Sequence, residues 1–233
     1  KTFDLSQTDG KELPTIGPSE LVGNIEGYPK LLQAIQEISS VPVSFELIDG
    51  DAKGFYHLED KKIVLGVANA WNARKGLPDL LTLAGRLGSD YQVVLIGLIE
   101  KQLLDIPSDV LGLLRTANQA ELAQWYSTAD VFVNPTYEET FGLTTVEAQA
   151  CGTPVVVYET DGCPETVAPG NGRLVPQGDM QALENAVRDV ADSNWSAEHK
   201  KMARFDKDTV YQGYVQLYEN VLSTLGKGRV MAT

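Results

Sequence analysis

Two cysteines and two histidines in 233 residues leave little material for several kinds of chemistry. Cys151 and Cys163 lack the paired spacing of a zinc site, so free thiols in a cytoplasmic protein are the expectation. His57 and His199 are too few for a histidine-built metal centre, or for a Ser/His or Cys/His catalytic arrangement. Basic residues are also short, with 19 Lys and Arg against 32 Asp and Glu and a net charge of −13. That balance argues against non-specific binding to nucleic acid or to anionic lipid, both of which need a basic face. The longest apolar runs, such as Ile63 to Ala68 and Val93 to Ile99, are strand-sized, so no segment approaches a membrane span. The opening residues carry no signal-peptide pattern, and there is no internal repeat or low-complexity tract.

What remains has the apolar and charged fractions of an ordinary soluble globular protein, 43% and 22%. Its length suits one large domain, or one domain with an appendage. Residues 1–17 show no periodicity and read as irregular. Pro18 to Leu21 reads as the start of a short helix. Tyr28 to Ile38 has apolar residues at helical spacing, Val41 to Leu47 alternates as a half-buried strand, and Asp49-Gly50-Asp51 reads as a turn. One helix and one strand do not make a domain, so residues 1–61 are expected to be an extension that packs on the larger domain beginning at Lys62.

From Lys62 the chain alternates strand and helix, the signature of an α/β fold with a parallel sheet covered by helices on both faces. Strands are expected at Ile63 to Ala68, Gln92 to Gly97 and, more weakly, Val110 to Leu114, then at Asp130 to Val133, Val155 to Tyr158 and Arg173 to Val175. Helices are expected at Gly76 to Leu87, Gln119 to Tyr126 and Leu143 to Cys151. Another should start after Asp179 as cap and run to about Ala191, with Met180, Leu183, Val187 and Val190 inward. Val210, Tyr214, Leu217, Tyr218 and Val221 mark a terminal helix, with a short tail over residues 226–233.

The stretch from Tyr137 to Pro154 carries the most chemistry. Pro135 cannot donate to a sheet ladder and stops the strand before it. The helix after the polar loop has Leu143, Val146, Glu147 and Ala150 along one side and ends at Gly152 with Pro154 beyond. The amides of Phe141, Gly142, Leu143 and Thr144 stand at its N-terminus, where unpaired N–H groups and the positive end of the dipole favour an anion such as a diphosphate. Gly142 would permit close approach. Carboxylates beside a phosphate suggest hydroxyl groups as their partners: Glu147 for a ribose diol, Glu139 for a second sugar beyond the phosphates. Complementing the helix dipole is the plainer role open to either.

Glu139-Thr140-Phe141-Gly142, then Glu147-Ala148, then Gly152-Thr153-Pro154-Val155-Val156 resembles the donor-binding segment of the group 1 glycosyltransferases of GT-B type. Their hallmark is a glutamate pair with seven residues between. The resemblance covers residues 62–225 and implies a Rossmann-like domain, the C-terminal half of a GT-B fold, that binds a nucleotide-diphosphate sugar for retaining transfer. In that reading the donor is a substrate, no further cofactor is implied, and no metal is required. Asn72-Ala73-Arg74-Lys75-Gly76 resembles the family's loop ahead of its first helix, which makes Lys75 the candidate charge on the leaving diphosphate. The family often has an arginine five residues earlier, where this chain has Ala70, and Arg74 is the candidate substitute. Arg115 and Thr116 fall where the family meets the base. The resemblance thus assigns Glu139 and Lys75 to catalysis, and Arg74, Lys75, Arg115, Phe141, Gly142, Leu143, Thr144 and Glu147 to donor binding.

A GT-B enzyme has a second Rossmann-like half for the acceptor, and the residues before Lys62 are too few to supply it. They also lack the Gly-[Val/Ile]-Asp linker. A truncated piece, a split enzyme completed by another chain and an engineered hybrid all fit. A non-catalytic nucleotide-sugar-binding or interaction module is the rival of another class. An epimerase of the same architecture fits less well with the glutamate pair and the scarcity of histidine.

Overall fold

The structure, a computed structural model, describes residue 56, residues 58–193 and residues 195–230, with side chains as far as residue 223. The helix, strand and turn expected between residues 18 and 51 lie outside these residues, as does His57. The chain divides into two compact units: Phe45–Met202, and Lys1–Ser44 together with Ala203–Thr233.

In the first unit, six strands form one sheet: β1 (Lys62–Val67), β2 (Tyr91–Ile96), β3 (Val110–Leu113), β4 (Val131–Asn134), β5 (Val155–Tyr158) and β6 (Gly172–Val175). Every pairing is parallel, and the order across the sheet is β3-β2-β1-β4-β5-β6. This is an α/β Rossmann-like fold. The helices are α1 (Leu77–Leu87), α2 (Glu100–Asp105), α3 (Gln119–Thr128), α4 (Leu143–Ala150), α5 (Cys163–Thr166) and α6 (Met180–Asp192).

The strands are apolar almost throughout because both faces are covered, and successive side chains divide between two cores. Val64, Val93, Leu95, Val131, Val133, Val156 and Tyr158 face the layer containing Leu80, Leu83 and Leu87 of α1 and Leu183, Val187 and Val190 of α6. Ile63, Leu65, Val94, Ile96, Phe132, Val155 and Val157 face the layer containing Trp125 and Tyr126 of α3 and Ala148 of α4. Asp179 caps α6 as its position suggests, accepting from the backbone N–H of Gln181 and Ala182 at 3.1 and 2.9 Å.

Three features depart from the sequence reading. Helices α2 and α5, of six and four residues, were not expected. The buried face of α4 is Thr145, Ala148 and Gln149, while Leu143 is 66% exposed, so the side picked out in the sequence, Leu143, Val146, Glu147 and Ala150, is not the buried one. Hydrogen bonding decides this: Gln149 Nε2 donates to the carbonyls of Thr145 and Thr166 at 2.8 Å, and its Oε1 accepts from the N–H of Ala168. Asn134 Nδ2 likewise donates to Thr145 Oγ1 at 3.1 Å. Each polar group of the buried Gln149 amide thus finds a partner inside the protein.

The loop after β1 is locked to the loop after β4. Tyr137 N–H donates to the Arg74 carbonyl at 2.7 Å, and Gly76 sits at φ 72, where a Cβ would lie 2.1 Å from the Pro135 carbonyl oxygen. Only glycine serves at that position. Of the second unit, the described part is chiefly α7 (Lys207–Val230), whose start is capped by Asp206 accepting from the N–H of Asp208 and Thr209 at 3.0 and 3.1 Å.

Leu183 is fully buried between α6 and the sheet. Truncation to alanine is expected to cost about 2–5 kcal/mol, read as a lowered urea midpoint with an unchanged slope.

Candidate functional site

In an open parallel sheet, the helices after neighbouring strands run to opposite faces where the strand order reverses, and the crevice outside the carboxyl ends at that point is where ligands settle. Here the reversal lies between β1 and β4. The loops that leave those strands, Asn72 to Gly76 and Pro135 to Gly142, carry most of the residues singled out in the sequence. The β1 turn has no Gly-x-Gly-x-x-Gly, so it is not the dinucleotide-binding version of this crevice.

Between the loops lies a cavity of about 550 Å³ lined by Arg74, Lys75, Glu138, Glu139, Thr140, Asp161 and Gly162. Its walls are held together by two ion pairs. Lys75 Nζ donates to Glu139 Oε2 at 2.6 Å, and Arg74 Nη1 meets Glu138 Oε2 at 3.1 Å. The first is the stronger, with side chains only 34% and 19% exposed, whereas the second stands largely in solvent. Lys75 lies in a short 3₁₀ turn, Ala73–Lys75, which Asn72 caps by accepting from the Lys75 N–H at 3.1 Å. Lys75 immediately precedes Gly76, the N-cap of α1, where the helix dipole disfavours a cation, and Glu139 is the anion that faces it.

Helix α4 begins beside the cavity. Gly142 is its N-cap, with no side-chain hydrogen bond to the first turn. A Cβ there would find only van der Waals contacts at 3.4 Å or more, so glycine is required by the φ of 92 and not by crowding from the protein. Phe141, Gly142, Leu143 and Thr144 thus stand at the helix entry, next in the chain to the lining residue Thr140.

Glu147 and Arg115 are not among the residues that line the cavity. Arg115 leaves the carboxyl end of β3 and donates from Nη2 to Asn69 Oδ1 at 2.7 Å, next to the β1 turn. Glu147 lies one turn into α4 and accepts from the Tyr126 hydroxyl at 2.9 Å. Burial raises the Glu147 carboxyl above its ordinary value, and the Tyr126 hydrogen bond only partly opposes this. The fold therefore holds this carboxylate at a net electrostatic cost.

Sequence reasoning missed Asp161, and took Gly162 only as the start of a family-like scaffold run to Val167. An Asp-Gly turn in the loop that leaves β5 was the available signal, since loops leaving carboxyl ends converge on one edge. Asp161 holds φ 41, and its carboxylate accepts from the Glu139 N–H at 3.4 Å. Cys163, free and buried, is next in the chain; burial and the nearby Glu139 push its thiol up to about 11 against the opposing pull of Lys75, so it is neutral and a poor nucleophile. Cys151 is held at about 11 as well, chiefly by burial. Among the described residues no cluster of His, Cys, Asp and Glu could hold a metal ion, and no helix is long and apolar enough to cross a membrane.

The profile of the family described as glycosyl transferases group 1 matches residues 51–209. Seventy residues are 51% identical to a D-inositol 3-phosphate glycosyltransferase of Streptomyces bingchenggensis, covering 30% of this chain and 15% of that enzyme. A protein of the same description from Arthrobacter sp. is 35% identical over 126 residues, 54% of this chain and 29% of that one. Sucrose-phosphate synthase from Thermosynechococcus elongatus superposes with a TM-score of 0.65 at 28% identity, covering 78% of this chain and 51% of that one. Anabaena HepE in complex with UDP-glucose gives 0.61 at 20% identity, a likeness of fold, over 85% of this chain and 61% of that one. The chain spans about half the length of the synthase and less than a third of the two curated relatives.

The state of Glu147 gives a test. A folded carboxyl raised above its unfolded value binds extra protons in the native state, so its cost is absent in acid and complete above the folded value. Glu147→Gln keeps an oxygen for Tyr126 to donate to and removes the charge. Melting temperature is expected to rise at neutral pH, and the gain to vanish as the pH falls below the ordinary carboxylate range. An equal or lower melting temperature at pH 7 would show that the charge costs nothing.

Proposed function

Because the chain belongs to the group 1 glycosyltransferases, we propose that it binds a nucleotide-diphosphate sugar at the β1/β4 junction and provides the donor side of a retaining glycosyl transfer. The acceptor side comes from a further domain or a second chain. The observation that carries this reading is the meeting of Lys75 and Glu139 across the cavity, beside a helix start whose cap supplies no side-chain bond.

Each element has a task. The N-terminal amides of α4 and the ammonium of Lys75 stabilise the diphosphate as the bond to the sugar breaks, while Arg74 supplies a second, more exposed cation. This is charge stabilisation of the oxyanion-hole kind, which reaches about 3–4 kcal/mol for one donor in a dry site. Glu139 binds hydroxyls of the transferred sugar, and Glu147, oriented by Tyr126, anchors the ribose. Arg115 stands toward the base. No protein nucleophile is needed.

The pairing of Lys75 with Glu139 adds an exchange. A diphosphate takes Lys75 from Glu139, and the released carboxylate becomes free to accept from sugar hydroxyls. Sugar recognition is thereby made conditional on the diphosphate. A uridine diphosphate sugar is the first donor to test, given the UDP-glucose bound by the structural neighbour HepE.

Two variants separate these roles in calorimetric titrations of uridine, UDP and UDP-glucose. Lys75→Ala should weaken UDP and UDP-glucose about tenfold or more, as expected for one charge-assisted hydrogen bond, and leave uridine unchanged. Glu139→Gln should tighten UDP, because a competitor for Lys75 is gone, and narrow the advantage of UDP-glucose over UDP. Uridine weakened as much as UDP would remove Lys75 from the diphosphate, and an unaltered UDP-glucose to UDP ratio would remove Glu139 from the sugar.

A further inference from the structure

Asp79 lies in the first turn of α1, four residues beyond Lys75. Its Oδ2 accepts two phenolic protons, from Tyr137 at 2.9 Å and from Tyr158 at 2.6 Å. The two rings meet edge to face, with centroids 5.7 Å apart and planes at 82°. Tyr158 ends β5 and is fully buried, so its hydroxyl requires a partner inside the protein. A carboxylate in the first turn of a helix is favoured by the dipole, and a phenol donating to it makes a charge-assisted bond. Burial and the nearby Asp79 raise both phenols above their ordinary value, so each remains a donor.

Tyr137 is therefore held at three points. Its N–H donates to the Arg74 carbonyl at 2.7 Å, its carbonyl accepts from Gln177 Nε2 at 2.9 Å, and its hydroxyl donates to Asp79. Gln177 also donates to Thr160 Oγ1 at 3.0 Å, which draws in the loop after β5. The two residues after Tyr137 are Glu138 and Glu139, whose carboxylates meet Arg74 and Lys75 across the cavity. A shift of the backbone at Tyr137 would carry both carboxylates with it.

We propose that Asp79 is a positioning residue of the donor site: by gathering Tyr137 and Tyr158 onto one carboxylate oxygen, it fixes Glu138 and Glu139 opposite Arg74 and Lys75 without touching the donor. This rests on the donor reading given above. A mere stitch between α1 and the sheet would alter melting temperature and leave the affinity of the folded protein unchanged.

Tyr137→Phe keeps the ring on Tyr158 and deletes only the hydroxyl of a side chain that is 37% exposed. Calorimetry well below the melting temperature is expected to show UDP-glucose binding weakened about tenfold, because Glu138 and Glu139 are no longer held in place, with uridine unchanged. Asp79→Ala should fall at least as far, and Asp79→Asn, which keeps an acceptor oxygen, should recover most of the affinity. Unchanged UDP-glucose affinity in Tyr137→Phe and in folded Asp79→Ala overturns this assignment alone, as does an Asp79→Asn variant no better than Asp79→Ala. A wild-type chain that binds neither UDP nor UDP-glucose overturns the donor reading and this assignment with it.

Discussion

The crevice depends on the clasp between the loop after β1 and the loop after β4. Tyr137 donates its backbone N–H to Arg74, and the missing side chain of Gly76 lets the Pro135 carbonyl come close. Neither strand end alone makes a site. The clasp sets two cations opposite two carboxylates in a concave, partly desolvated space, where a charge interaction is worth more than at an open surface. The rest of the domain acts as support: two apolar layers clamp the sheet, and the sheet fixes where its carboxyl ends fall.

That support explains which parts could be read from the residues alone. The buried strands announce themselves as apolar runs, and α1 and α6 by apolar spacing with punctuation at their ends. Short elements had no such signal, since neither six-residue α2 nor four-residue α5 has room for a repeat. In α4, hydrogen-bonded Thr145 and Gln149 form the inner face, which a reading by hydrophobicity assigns to solvent. Strand order was also out of reach, because the sequence shows that strands alternate with helices but not that β4 returns to lie against β1.

The site divides in the same way. Lys75, Glu139 and the start of α4 were legible because their local setting is distinctive: a lysine before a glycine at a helix entry, and glutamates around a Phe-Gly turn. Their partners were not. That Lys75 meets Glu139, that Glu147 hangs from Tyr126, and that Asp79 collects two tyrosines are facts of long-range packing. Membership in the group 1 glycosyltransferases gives the residues a shared setting. The exchange of partners proposed at Lys75, and the support proposed for Asp79, rest on contacts of this chain.

Lys75 and Glu139 are 64 residues apart along the chain. The edge made by β1, β2 and β3 contains only one side of the crevice, so a chain folded only that far has no crevice. Contacts of such separation form late, once the entropy of closing the long intervening loop has been met. A ligand seated there would consequently lengthen the lifetime of the folded state by slowing its opening, and would do little to speed the chain's arrival.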